Sequence, residues 1–199
     1  MLKVFYKKID SVFSGIPDGV SEYRKNKILS AKIDGTKRIM SAAACVLKAG
    51  FSYLGIEEKD VRYGFGENGK PYALSHPEVF FSLSHSDSLA VAVFSDKEVG
   101  IDCEMTERRV SFDLLKRFFP NEAELYKDDP LLLWVTAESL SKLTGDGVFN
   151  ADKRTPNTHF SGDIARINGV TLEKFIIEDN LVVLSSKGEE GPEIINVTQ

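Results

Sequence analysis

Asp102 and Glu104 stand two positions apart in "VGIDCEM" (99–105). A strand there puts both carboxylates on one face and Cys103 on the other. Like charges at that spacing repel. They are tolerated on a strand face open to water, or where a hard cation lies between them. A cation that takes oxygen donors and keeps room for waters and phosphates is best matched by Mg²⁺. The run "LLLWVTAESLSKLTG" (131–145) offers a further acid. At about 100° per residue, Trp134, Glu138 and Lys142 fall within about 80° of one another, opposite Leu132, Thr136, Leu140 and Leu143. A surface Glu138–Lys142 pair accounts for ~0.3–0.5 kcal/mol, but not for the single tryptophan of the chain in the same stripe. "SLSHSDS" (82–88) places His85 in a turn between strands, where a histidine more often serves hydrogen bonding than catalysis. Taken singly, Lys25, Lys37, Arg38 and Lys70 read as solvated charges.

The elements that must position these groups follow from periodicity and breakers. A first strand at about 2–9 leads into a polar stretch. Ile39, Ala42, Ala43, Val46 and Leu47 make the apolar stripe of a helix over about 34–49, with Gly50 as its stop. "VFFSLSHSDSLAVAVFSDKEVGIDCEM" reads as three strands with turns at 84–87 and 95–96. "LAVAVF" is apolar on both faces and belongs in the middle of a sheet. Ser111 caps a helix that buries Phe112, Leu115 and Phe119 and ends at Pro120. Asn121 caps a short acidic helix. Asp129 before Pro130 marks the start of the Trp134 helix and Gly145 its end. "TLEKFIIEDNLVVLSS" is a hairpin turning at Asp179–Asn180. "GFGENG" (64–69) matches a dinucleotide fingerprint in letters only, because Lys70-Pro71 follows where a helix must begin.

With 199 residues, the chain suits one large domain or two smaller halves that share a core. Net charge is −5, which argues against general nucleic-acid binding, so any anion site must be local. The two cysteines, Cys45 and Cys103, lie in apolar contexts that fit a reducing compartment. No signal segment or membrane span is expected. The expectation is a cytoplasmic monomer.

In order along the chain, "GKP" (69–71), "FSLSHSD" (81–87), "VGIDCE" (99–104), "LKRFFPNEAE" (115–124) and "WVTAESLSKLTGDG" (134–147) resemble the motifs of the Sfp-type 4′-phosphopantetheinyl transferases. The resemblance spans about 25–147. It implies an α+β fold of two similar halves related by a pseudo-twofold, here 1–97 and 98–199, with the metal-binding acids in the second. It implies Mg²⁺-dependent transfer of the phosphopantetheine arm of coenzyme A, the substrate, to a serine of an apo acyl or peptidyl carrier protein. Adenosine 3′,5′-bisphosphate is released.

By the same resemblance, Asp102, Glu104 and Glu138 hold the metal, Glu138 takes the serine proton, and Lys142 neutralises a phosphate oxygen. Ser84 and His85 meet the phosphates at the 3′ end of the coenzyme. Lys70 lies near its adenine, Lys37 meets the 3′-phosphate, and Lys25 adds to that site. Ala137 stands where the family has a basic residue, which predicts a weakened pyrophosphate contact. The alternative is a catalytically weak or inactive relative that binds coenzyme A or a nucleotide. Arg108, Arg109, Phe112 and Leu115 are expected to receive the carrier, beside Lys116 and Arg117.

Overall fold

Every residue of the strand Leu89–Ser95 (β5) is buried, as its two-sided apolar sequence requires. A computed structural model describes residues 1–148, 158–188 and 191–198. In it β5 lies between Leu2–Lys8 (β1) and Phe80–His85 (β4), antiparallel to both. Alternation along β5 then makes two cores. Ala90, Ala92 and Phe94 turn towards a long helix, whereas Leu89, Val91 and Val93 turn towards a second sheet.

That helix, α2, spans Asp34–Tyr53, after a short helix α1 at Glu22–Ser30. The sequence reading misses α1, because only Arg24 and Ile28 of its residues are buried and no apolar stripe shows. Gly50 does not stop α2. A Cβ there would come within 1.9 Å of the Phe94 ring, so glycine is needed for close packing of helix on sheet. A small hairpin, Tyr63–Phe65 (β2) with Pro71–Ala73 (β3), carries the loop around Lys70.

The second sheet has the order β6-β9-β8-β7, where β6 is Val99–Met105, β7 Ile164–Ile167, β8 Val170–Ile177 and β9 Asn180–Ser186. All its pairings are antiparallel. The β8–β9 turn is Glu178–Asp179, both with positive φ, one residue before the turn expected from sequence. Val99, Ile101 and Cys103 of β6 face the first sheet, and Val182 and Leu184 join them. The opposite face, with Leu172, Leu181 and Val183, packs under Pro130–Thr144 (α4) and Phe112–Phe118 (α3). The layers therefore run helix, sheet, sheet, helix.

Ser111 caps α3 as expected, its hydroxyl accepting from the Leu114 N–H. Residues after Asn121 form a series of turns rather than a helix. Glu193–Asn196 (β10) pairs parallel with β1, so a strand from the end of the chain completes the sheet begun by its start. Both cysteines are free thiols, Cys103 fully buried and Cys45 partly so. Among the described residues no helix is long and apolar enough to cross a membrane.

Candidate active site

Gly100 decides how the acids meet. It shares with Asp102 and Glu104 the face of β6 that looks at α4. A Cβ at Gly100 would lie 2.1 Å from the Ser139 carbonyl oxygen and 2.4 Å from the Leu143 nitrogen. The missing side chain lets α4 rest directly on β6. Hydroxyls pin the contact: Ser139 donates to the Gly100 carbonyl at 3.3 Å, and Ser185 to the Ser139 carbonyl at 2.9 Å. Glu138 and Lys142, one helical turn apart, then project into the same cleft as Asp102.

Helix α4 is fixed at both ends. The Asp129 carboxylate accepts from the Leu132 N–H at 3.1 Å, and Pro130 occupies the first turn. Gly145 closes the helix in the left-handed region, at φ 80°. The Lys70 ammonium donates to the Leu143 carbonyl at 2.9 Å and to the Val99 carbonyl at 3.3 Å. Asn68 donates to the Gly145 carbonyl at 2.9 Å. The loop before "KP" therefore clamps the negative end of α4 onto the first residue of β6. Burial lowers the Lys70 pKa.

A cleft of about 260 Å³ opens between the end of β4, the face of β6 and α4. Ser84 and His85, Asp102 and Glu104, and Trp134, Glu138 and Lys142 line it, together with Arg108. Asp102 is its most buried charge, at 4% exposure. Its Oδ1 accepts from the Lys142 ammonium at 2.6 Å and from the Ser84 hydroxyl at 2.7 Å. Its Oδ2 is buried and has no hydrogen-bond partner. Glu104 pairs with Arg108, whose guanidinium lies 5.9 Å from the centre of the Trp134 ring.

Burial raises the Glu138 pKa, and the neighbouring Asp102 charge raises it further. Burial also raises that of Glu104, with Arg108 opposing. His85 is exposed at the mouth of the cleft. The protein packed around its ring, and then Lys142, hold its pKa below the ordinary value.

A donor set of three carboxylates, one with a buried unpartnered oxygen, suits a hard cation such as Mg²⁺. As the side chains stand, no three acid, histidine or cysteine groups among the described residues are gathered tightly enough to hold an ion. Two of the carboxylates are turned towards protein cations instead.

Other expected site residues lie elsewhere. Lys25 pairs with Glu22 on α1 at 2.7 Å. Lys37 pairs with Asp34 at 3.4 Å and lies over the Phe13 ring. Neither these nor Lys70 lines the cleft. Leu115 is 1% exposed and part of the core under α4, so it is not available to a partner. Phe112 packs partly against the same core. Leu114, at 41%, is the apolar side chain that α3 shows to solvent. Ala137 also faces the core, at 5% exposure, and not the cleft wall. Arg108 is the cleft residue that sequence reasoning assigned to another role. It follows a turn after β6, where no periodicity fixes a direction.

No family model matches the chain. It is 34% identical over 110 residues to the 4′-phosphopantetheinyl transferase HetI of a Nostoc species, covering 48% of this chain and 46% of that protein. It is 28% identical over 120 residues to the 4′-phosphopantetheinyl transferase Sfp of Bacillus subtilis, covering 55% and 53% respectively. A further 4′-phosphopantetheinyl transferase of Bacillus subtilis is 33% identical over 103 residues, 47% of this chain and 46% of that protein. The match thus spans about half the length of the curated relatives. Similarity to this group of transferases is what the motif order leads one to expect.

Proposed function

We propose that the chain transfers the 4′-phosphopantetheine arm of coenzyme A to a serine of an apo carrier protein. The observation that carries this reading is the facing of Asp102 and Glu104 by Glu138 and Lys142 across one cleft. Similarity to three proteins bearing that activity in their names supports it.

Reaction requires the serine oxygen to attack the phosphorus that carries the pantetheine arm. A bond from that oxygen to phosphorus forms, and the bond to the bridging oxygen breaks. Adenosine 3′,5′-bisphosphate leaves with the bond electrons. Glu138 is the group to take the serine proton. Burial and the Asp102 charge make it a stronger base than an ordinary glutamate. Lys142, now bonded to Asp102, can turn one of its remaining N–H donors to a phosphate oxygen. Ser84 and His85, at the end of β4, would meet further phosphate oxygens. An anion beside His85 favours its protonated form, so binding of phosphate and uptake of a proton reinforce each other.

Asp102, Glu104 and Glu138 would hold Mg²⁺, which when bound neutralises the diphosphate and steadies the charge of the in-line displacement. The carrier partner is expected at Arg109 and Leu114, both exposed and shortly after the cleft residue Arg108 in the chain.

The test is direct. Incubation with coenzyme A, Mg²⁺ and an apo carrier protein should raise the carrier's mass by one phosphopantetheine group. An unchanged carrier mass across fatty-acid, polyketide and peptide carriers would overturn the reading.

A further inference from the structure

The cleft holds three carboxylates and two cations, and the pairing between them is specific. Lys142 takes Asp102, and Arg108 takes Glu104. Each pairing uses carboxylate oxygen that a metal ion would need. A guanidinium and a divalent cation cannot both occupy the same face of Glu104, since their charges repel at that distance. The two partners of the Glu104 pair differ in freedom. The Glu104 side chain is 16% exposed and anchored on a strand, whereas Arg108 is 46% exposed and follows a turn. The arginine can leave; the carboxylate cannot. Trp134 gives the departing guanidinium a surface to rest on, since the two already lie 5.9 Å apart.

Helix α4 brings a single cation, Lys142, to the cleft, because it is the only basic residue of that helix. A diphosphate carries more charge than one ammonium can meet. We propose that Arg108 is a resident counter-ion. It neutralises Glu104 in the metal-free protein, gives way when a divalent cation enters, and then contacts a phosphate of coenzyme A. This rests on the transferase reading above. It explains why the acids share a cleft without being gathered into a cage: Arg108 and Lys142 stand in for the ion.

The test compares wild-type protein, Arg108→Met and Arg108→Lys by calorimetry, with melting curves to confirm that each is folded. Mg²⁺ is titrated first, without coenzyme A. Coenzyme A is titrated next at saturating Mg²⁺. Arg108→Met should bind Mg²⁺ up to about fivefold more tightly, the scale of a half-exposed ion pair removed as competitor. The same variant should bind coenzyme A about tenfold more weakly, through loss of a charge-assisted contact. Arg108→Lys should recover part of the coenzyme affinity. Unchanged or weaker Mg²⁺ binding by Arg108→Met overturns the counter-ion role, and unchanged coenzyme A binding overturns the phosphate contact. Failure of the wild type to bind either ligand overturns the transferase reading itself, which keeps the two failures apart.

Discussion

The Lys142 ammonium lies 2.6 Å from Oδ1 of Asp102, tying the last turn of α4 to the middle of β6. The Asp102 side chain is 6% exposed and that of Lys142 29%, so one partner is dry and the other reaches water. Lys142→Met would leave a buried carboxylate with only the Ser84 hydroxyl. A loss of about 2 kcal/mol is expected, below the value for a fully buried pair because Lys142 is partly solvated. Combining it with Asp102→Asn removes the stranded charge. The double variant should therefore be more stable than the sum of the singles by about 1 kcal/mol in urea unfolding. Simple additivity would show that the pair is not coupled. Each variant should lose transfer activity.

Gly100 and Gly50 separate stability from site geometry. Both are glycines at a helix–sheet contact, and both lack room for a methyl group. Gly100→Ala pushes against α4 backbone, which cannot rotate away, and should cost about 3 kcal/mol or more. It also moves Glu138 and Lys142 away from Asp102. Gly50→Ala pushes against the Phe94 ring in the other core, and should cost a similar amount. With the folded fraction measured by circular dichroism, activity per folded molecule should collapse for Gly100→Ala and persist for Gly50→Ala. Equal retention in both would deny Gly100 its positioning role.

What could be foreseen from the residues follows the two backbone periods. Period two put Asp102 and Glu104 on one face, and period 3.6 put Glu138 and Lys142 on one stripe. Caps at Asp129 and Gly145 fixed the helix between them. Arg108 lies beyond the strand, where no period applies, so its presence in the cleft depends on tertiary packing. Gly50 looked like a helix stop because glycine is the commonest one, yet its use is to admit Phe94, which comes from a strand and lies 44 residues on. Leu115 had the charge pattern of a docking helix around it. Its stripe with Phe112 and Phe119 already pointed inward, and the placement of α3 against α4 decides for burial over docking.

Lys70 has two candidate roles that stability measurements can divide. Its ammonium joins the carbonyls of Leu143 and Val99. Lys70→Ala removes a cation from the C-terminus of α4 and strands both acceptors, at a cost of about 1–2 kcal/mol. The urea midpoint of the ligand-free protein should fall accordingly. A residue kept only to contact coenzyme A would leave that midpoint unchanged and weaken coenzyme binding alone.

Glu138 is expected to be good for catalysis and bad for stability. Burial, and then the Asp102 charge, raise its pKa in the folded protein above the unfolded value. The folded state therefore holds the proton more tightly. The resulting stabilisation is complete below about pH 4.3, the unfolded value, and is lost as pH rises through the raised folded value. Above that range the ionised side chain is a burden in the metal-free protein. Glu138→Gln carries no such charge. Near pH 4 its melting temperature should equal that of the wild type. At pH 7.5 without Mg²⁺ it should melt higher than the wild type. Adding Mg²⁺ and coenzyme A should close the gap, because only the wild type retains the full acid set and gains binding energy. Transfer activity should fall by about a hundredfold or more in the glutamine variant. A variant that melts lower at pH 7.5 would mean that Lys142 and Arg108 already outweigh the burial of this carboxylate, and the link between its basicity and its instability would be lost.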